Sequence, residues 1–247
     1  MVLLTYFMHS YSPDSRYLGN YAPHDGTVEF YQRIHALTNP TFTALNLGAG
    51  RGAWSEIDTS EVRRTLQDIR PNVSHYIGAD IDPVVLKNPT TNHNVMITDG
   101  SIPLEDRSVD LIIADWVLEH VSNPAQFSHE VDRILKPGGF FCARTPHILS
   151  YWALGGRLVA NARHVSFLKH LQPGRHEVDI FPTCYRMNTL GAIRSSFNGY
   201  RSYSYLYVVN PAYFFGNKFL YGLLEFTHNR LLPRPLSSCI MAFMQKL

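Results

Sequence analysis

The sequence predicts an α/β fold in which a mostly parallel sheet carries helices on both faces. Short apolar runs of strand length alternate with helix-length segments between residues 44 and 143. Alternation of this kind implies parallel pairing, because each helix carries the chain back across the sheet. The run 109–114 is nearly all apolar, as a strand covered on both faces should be. The first run, Ala44-Leu45-Asn46-Leu47, ends in three glycines at alternate positions, Gly48, Gly50 and Gly52. In such sheets ligands bind beyond the carboxyl ends of the strands.

The elements follow in order. Residues 1–25 hold Tyr6, Tyr11, Tyr17 and Tyr21 without a period, and read as an irregular arm or a lid over a bound ligand. Residues 1–43 together form an N-terminal cap segment. From 27 to 37, Val28, Tyr31, Ile34 and Leu37 share one helical face, and Asn39-Pro40 ends that helix. Residues 44–47 are the first strand. Residues 55–69 read as a helix with Trp54 packed at its start, and 73–79 as the second strand, ending at Asp80. Asp82 caps the next helix, with Pro83 at its first position, where the missing N–H costs nothing. Residues 94–97 are the third strand, followed by Thr98-Asp99-Gly100. The fourth, 109–114, leads through 116–121 into a helix running from Phe127 to Leu135. Pro137-Gly138-Gly139 reads as a turn, and 140–143 as the fifth strand.

Beyond Pro146 the pattern loosens. Residues 149–159 look helical, broken by Gly155-Gly156. Residues 161–182 are polar and irregular and carry His164, His170 and His176. Residues 183–196 read as a loop and a helix, 201–209 as a sixth strand and 236–245 as a seventh. The aromatic stretch 211–232 reads as a helix packed on the sheet, with a dimer contact or an interfacial helix touching lipid as the alternatives.

Composition narrows the function. With 45% hydrophobic and 17% charged residues over 247 positions, a sizeable core can form. A net charge of +2, with Lys and Arg scattered, argues against a nucleic-acid partner. Cys142, Cys184 and Cys239 have no metal-type spacing, and an odd, sparse set fits a reducing compartment. Cys142 lies in an apolar run and reads as a small core residue. The three histidines of 161–182 lack zinc-type spacing, so no metal is expected. No apolar run reaches the roughly 18 residues of a membrane span, and the first residues lack a basic leader. The protein reads as cytoplasmic.

The glycine run and Asp80 together describe a site for a nucleoside-bearing cofactor. Glycines let the backbone turn tightly and approach a ligand where a Cβ would collide. A carboxylate at the next strand end can accept both ribose hydroxyls. Two cofactors compete. Gly48-Ala49-Gly50-Arg51-Gly52-Ala53 satisfies the dinucleotide pattern G-x-G-x-x-A, and Asp80 would then hold the ribose of NAD. Gly52, one place early, also fits a G-x-G-x-G loop.

The run Ile97 to Ala114, with Asp99-Gly100 and Val109-Asp110-Leu111-Ile112-Ile113, decides between them together with Trp116-Val117-Leu118-Glu119-His120-Val121 and Arg133-Ile134-Leu135-Lys136-Pro137-Gly138-Gly139. These motifs, in this order, resemble class I S-adenosylmethionine-dependent methyltransferases, in the broad group that includes the quinone-biosynthesis enzymes. The resemblance covers residues 44–147. It implies a Rossmann-like, seven-stranded, mostly parallel sheet with an antiparallel C-terminal edge. It implies S-adenosylmethionine as methyl donor, S-adenosylhomocysteine as product, and an enzyme of the methyltransferase class (EC 2.1.1.-). Residues 44–147 would be the cofactor-binding core, 148–200 an insertion building the acceptor pocket, and 201–247 the strands and helix completing the same domain.

Carried over by position, Asn46, Gly48, Ala49, Gly50 and Gly52 would lie along the methionine part of the cofactor. Asp80 would bind the ribose, with Ile81 beside it. Asp99 and Gly100 would meet the adenine, and Asp115 and Trp116 would border the sulfonium and the acceptor. The family usually has an acidic residue where this chain has Asn46, which implies a weaker hold on the cofactor's ammonium. Glu119 and His120 read as orienting the loop, Asp110 as structural and Asp106 as a solvated turn residue. The implied acceptor is a small molecule, with a hydroxyl of a natural product or sugar unit favoured, a lipid quinone precursor the less favoured choice, and an amine or carbanion left open. A hydroxyl needs its proton removed, and histidines suit that task. His147 is the first candidate, then His176 and His120, with Tyr151, Tyr185 and Arg186 facing the acceptor. The protein is expected as a monomer or homodimer, with peripheral membrane contact possible. An NAD-dependent oxidoreductase and a catalytically silent, methyltransferase-like binding protein are the alternatives.

Overall fold

The computed structural model describes residues 17–151, 153–154, 182–211 and 217–247. An eight-stranded sheet organises the chain, in the order β3-β2-β1-β4-β5-β8-β6, with β7 also pairing β8. The strands are β1 (Thr43–Leu47), β2 (His75–Asp80), β3 (His93–Met96), β4 (Val109–Asp115), β5 (Leu135–Pro146), β6 (Tyr200–Ser202), β7 (Tyr205–Val208) and β8 (Ser238–Lys246). β1 to β5 pair in parallel, and β8 pairs antiparallel with β5. The expected sixth strand is two strands, β6 and β7, each antiparallel to β8. The break falls at Tyr203 and Ser204, where the Tyr203 N–H donates to the Phe243 carbonyl and the Ser204 hydroxyl accepts from the Phe243 N–H. One expected strand thus becomes two, and seven strands become eight.

Alternation along β4 sends side chains to two separate cores, as the two-residue period of a strand requires. Leu111 and Ile113 face one core with Phe30, Tyr31, Ile34 and Met241. Ile112 and Ala114 face the other with Val131, Ile134, Ile193 and Phe197. Helix α1 (Gly26–Leu37) covers the first face, and α4 (Pro124–Ile134) with α5 (Leu190–Ser196) covers the second. Burying Phe30, Tyr31 and Ile34 stabilises α1 on the sheet by about 1.5–3 kcal/mol each. The Phe141 and Phe197 rings stack across the second core at 4.7 Å. Cys142 and Cys239 are wholly buried in the first, and burial pushes both thiols up, which makes them poor nucleophiles.

The expected helix over 55–69 is broken into α2 (Trp54–Ile57) and α3 (Glu61–Gln67). A buried ion cluster causes the break. Asp58, between them, accepts from Arg63 Nε at 2.8 Å and Nη2 at 2.6 Å. Arg63 Nη1 reaches Asp25 Oδ2 at 2.8 Å. Asp25 also caps α1, accepting from Thr27 N and Val28 N. Ser60 caps α3 through Arg63 N and donates to the Gly19 carbonyl. Pro137-Gly138-Gly139 does not interrupt β5. It bulges from it: Val109 faces Leu135, yet Leu111 faces Phe140. Asp106 is not only solvated, since it pairs with Arg133 at 2.7 Å. Asp110 is structural as expected, accepting from Thr43 N and Lys136 Nζ.

All three members of the Asp25–Arg63–Asp58 cluster are less than a tenth exposed. Removing the cation leaves two uncompensated buried carboxylates. Arg63→Ala is therefore expected to lower the unfolding free energy by about 3–5 kcal/mol in chemical denaturation. A loss under 1 kcal/mol would show that the cluster is not what fastens α1 to α3.

Candidate active site

The carboxyl ends of β1, β2, β4 and β5 converge on one edge. The Gly48 and Ala49 N–H groups both donate to the Ala79 carbonyl at the end of β2, at 2.8 and 3.1 Å. The chain then turns through left-handed backbone at Gly48 (φ +79°), Gly50 (φ +50°) and Gly52 (φ +69°). The glycines meet different surroundings. A Cβ on Gly48 would collide with the Val117 side chain, and one on Gly52 would meet Asn88 Oδ1 at 2.5 Å. A Cβ on Gly50 would point into open space. Gly48 and Gly52 are packed against protein, whereas Gly50 faces a volume that a ligand can fill.

Asp80 ends β2 beside this volume. Its Oδ2 accepts from Gly50 N at 2.8 Å and its Oδ1 from Asp82 N at 3.0 Å. Each carboxylate oxygen has a second lone pair, so Asp80 can hold the loop and still accept two hydroxyls. Ile81, next in sequence, is 62% exposed, an apolar surface that suits the flat face of a base. Asp82 caps the 3₁₀ turn Pro83–Lys87 as expected, accepting from Val84 N.

Sequence reasoning missed the residue that fastens the loop from below. Asn88 donates to the Ala49 carbonyl at 3.0 Å and the Gly50 carbonyl at 3.1 Å. Its Oδ1 accepts from Thr90 N and Thr90 Oγ1. Its amide is thus used on every side. The signal was weak: Asn88-Pro89 reads as an ordinary helix stop. Asp99 (φ +53°) and Gly100 (φ +78°) form an exposed left-handed pair after β3, and Gln126 Nε2 donates to the Asp99 carbonyl. Asn46 lies half-buried on β1, one residue short of its end.

Asp115 and Trp116 are joined by a residue the sequence reading also passed over. Arg144, on β5, is 4% exposed and grips Asp115 in two parallel bonds, both 2.7 Å. Its Nη1 donates to Thr27 Oγ1 of α1 at 2.9 Å, and its guanidinium lies over the Trp116 ring at 5.1 Å. Burial works against the Arg144 charge, and Asp115 outweighs it, so the pKa is raised. The Asp115 carboxylate is thus committed to Arg144. Trp116 (φ +58°) is 40% exposed, and left-handed backbone is uncommon for so bulky a residue. Such conformations gather at functional sites.

The histidines separate. His147 is 8% exposed. Its Nδ1 accepts from Leu149 N at 3.2 Å, and the ring also hydrogen-bonds the Pro235 backbone. Both ring partners are backbone groups, which holds His147 as a strut after β5. His120 is half-buried, and its Nδ1 lies 2.9 Å from the Pro182 carbonyl. A carbonyl partner requires the hydrogen on Nδ1, so the neutral ring carries its lone pair on Nε2. The Glu119 carbonyl accepts from Cys184 N and Tyr185 N, which brings Tyr185 (φ +51°) beside His120. Glu119 Oε2 accepts from Thr145 Oγ1, and Asn188 Nδ2 donates to Thr145 Oγ1. Tyr151 packs on the His228 ring at 5.2 Å. Arg186 is exposed. His164, His170, His176, Tyr6 and Tyr11 lie outside the described residues. Among the described residues no group of three or more His, Cys, Asp and Glu gathers as a metal site.

Residues 45–143 match the family model described as a methyltransferase domain. Over these residues the chain resembles class I S-adenosylmethionine-dependent methyltransferases. A probable S-adenosylmethionine-dependent methyltransferase from Mycolicibacterium smegmatis is 31% identical over 111 residues, covering 43% of this chain and 39% of that protein. An uncharacterized methyltransferase from Mycolicibacterium vanbaalenii is 25% identical over 189 residues, covering 72% of this chain and 66% of that protein. The chain thus spans less than two thirds of these relatives. The crystal structure of an S-adenosylmethionine-dependent methyltransferase from Mesorhizobium loti covers 90% of this chain and 99% of its own, with a TM-score of 0.52 and 17% identity, a likeness of fold. The matched region places its glycine turn, Asp80 and Trp116 along one edge of the sheet, with the open volume at Gly50 beside them.

Two glycines of this loop should fail differently. Left-handed backbone costs an L-residue about 1–2 kcal/mol, so both alanine variants lose some stability. Gly52→Ala adds the clash with Asn88 and should show the larger fall in Tm. Gly50→Ala should fold and bind S-adenosylmethionine at least tenfold more weakly in calorimetry. Unchanged affinity would show that the open volume holds something else.

Burial pushes the His147 pKa below its ordinary value, against the Pro235 hydrogen bond. The folded state therefore favours the neutral ring. As pH falls through about 6.5 the unfolded chain takes up the proton first. Stability is full above that value and declines below it, by at most about 1.4 kcal/mol per pH unit for one proton. His147→Gln should flatten the fall in unfolding free energy between pH 7 and 5; an identical slope would remove His147 from the account.

Proposed function

We propose that this chain binds S-adenosylmethionine at the Gly48–Gly52 turn and transfers its methyl group to a small-molecule hydroxyl. The observation that carries the reading is the pairing of Gly50, open to a ligand, with Asp80 beside it. When bound, S-adenosylmethionine supplies an electrophilic methyl on a positively charged sulfur. The family match and the fold support this choice over NAD, and the strand-end geometry gives no reason to read the domain as a silent binding module. In this reading Asp80 accepts the ribose hydroxyls, Ile81 covers the adenine, and Asp99 with Gly100 borders it. Asn46 lies towards the methionine end and offers a neutral amide there.

Chemistry on the acceptor needs position and a proton path. Orientation alone can contribute an effective molarity of about 10⁵ M or more. Trp116 walls the site where its ring is fixed by Arg144. His120 takes the proton of the acceptor hydroxyl as that oxygen attacks. Tyr185, beside His120, orients the acceptor. His147 holds the end of β5 and needs no part in proton transfer. This revises the order of candidates drawn from sequence, in which His147 came first.

Asp80→Asn keeps the size of the side chain and removes its charge. It should raise the Kd for S-adenosylmethionine at least tenfold in calorimetry, since hydrogen bonds to a charged group contribute about 1.5–3 kcal/mol each. Stabilisation by NAD but not by S-adenosylmethionine would overturn the cofactor. His120→Gln should cut kcat by about 10²–10⁴ and flatten the acidic limb of the pH–rate profile, with cofactor affinity intact. A normal rate in that variant would leave the proton path elsewhere.

A further inference from the structure

Helix α6 (Lys218–Phe226) contradicts the ordinary pattern of a surface helix. Tyr221 and, in the following turn, His228 are buried against the protein. The opposite side should then be polar. It instead carries Phe219, Leu223 and Phe226, at i, i+4 and i+7, which are 82%, 51% and 56% exposed. Leu231 adds a further 65%-exposed side chain. Contiguous apolar surface of this kind marks a contact with a partner or a membrane.

Topology locates this face. β7 and β5 both run antiparallel to β8, so they run parallel to each other, and Val208 and Pro146 end at the same edge of the sheet. That edge is the one that carries the glycine turn and Trp116. The segment holding α6 joins the end of β7 to the start of β8 there. Tyr221 Oη donates to Asn210 Oδ1 at 3.2 Å, and the Tyr151 ring packs on His228, so α6 is tied to the loop that follows His147. The exposed apolar stripe thus lies on the acceptor side of the domain.

Charge selects the occupant. Arg230 and Arg234 are both exposed near the stripe. The one carboxylate between residues 217 and 237 is Glu225, half-buried and hydrogen-bonded to Tyr221. A two-fold contact between copies through this face would bring the same cations towards their own images. An anionic bilayer meets both features: acyl chains take the aromatic and leucine side chains, and headgroups take the cations.

We propose that the outward face of α6 docks on an anionic lipid surface, and that the acceptor is an amphiphile whose hydroxyl head is drawn from it. The second half rests on the methyltransferase reading; the first does not. The test uses the full chain with sedimented vesicles of phosphatidylcholine, with and without phosphatidylglycerol. Wild type is expected to sediment with the phosphatidylglycerol vesicles and to be released by salt. The triple variant Phe219→Gln, Leu223→Gln, Phe226→Gln is expected to bind them at least tenfold more weakly while keeping wild-type affinity for S-adenosylmethionine. Wild type left in the supernatant would overturn the proposal. So would equal binding by the triple variant, or a wild-type dimer that the triple variant abolishes. With methyl-labelled S-adenosylmethionine and a microbial total lipid extract, label is expected in the chloroform phase. Label confined to an aqueous extract would overturn the amphiphile, and failure to bind S-adenosylmethionine at all would fell the methyltransferase reading while leaving the vesicle result standing.

Discussion

The site depends on a backbone held in a conformation that only glycine adopts cheaply. Between Gly48 and Gly52 the chain leaves β1 and passes through three left-handed residues. Such a turn would be soft if nothing pinned it, since glycine loses the most freedom on folding. It is pinned from both sides. Ala79 takes the N–H groups of Gly48 and Ala49, Asp80 takes that of Gly50, and Asn88 fills the carbonyls of Ala49 and Gly50. These backbone groups find their partners within the protein, while the side at Gly50 stays open. In the proposed reading Asp80 therefore has two tasks, one on the loop and one on the ligand, which couples the shape of the turn to the charge that would face the sugar.

Arg144 performs the corresponding task on the acceptor side. It is buried, and its charge is balanced by Asp115 through two parallel bonds. It also reaches Thr27 of α1 and lies over the rings of Phe30 and Trp116. One side chain thus joins β4, β5, the N-terminal helix and the exposed tryptophan. A left-handed tryptophan persists only where its surroundings over-determine it. Arg144 and the bond from Trp116 N to the Arg144 carbonyl supply that determination.

Legibility in the sequence followed the range of the interactions. The five parallel strands were readable because burial on both faces writes itself into consecutive residues, as in Leu111-Ile112-Ile113. The glycine turn was readable because left-handed backbone demands a residue type at a fixed position. Asp58 and Arg63 were misread as parts of one helix, because the partner that breaks it, Asp25, lies far away in sequence. Ser60 ahead of Glu61 was a local cap signal that could have marked the second start. Arg144 and Asn88 were not singled out, since nothing local names their partners. The order of His147 and His120 drew on position relative to β5, which was visible, and the carbonyls that occupy each ring were not.

The two halves of the site are therefore built by different physics. The half with the glycine turn comes from consecutive strand ends, β1, β2 and β3, and is held by backbone bonds, glycine geometry and the side chains of Asp80 and Asn88. The acceptor half is assembled across the chain. Thr145 Oγ1 links Glu119 to Asn188, and Asn188 also donates to the Pro146 carbonyl. Asn188 is 1% exposed, yet its Oδ1 has no hydrogen-bond partner among the described residues. A buried unpaired acceptor costs about 1–3 kcal/mol, a cost this network carries while tying the segment after Pro182 to the ends of β4 and β5. That tie holds Tyr185 and His120 together through the Glu119 carbonyl and the Pro182 carbonyl. In the proposed reading, the turn that holds the donor is pinned by groups within residues 48–90, while the acceptor side is tied together by residues far apart in the chain, so the acceptor side can change without rebuilding the turn.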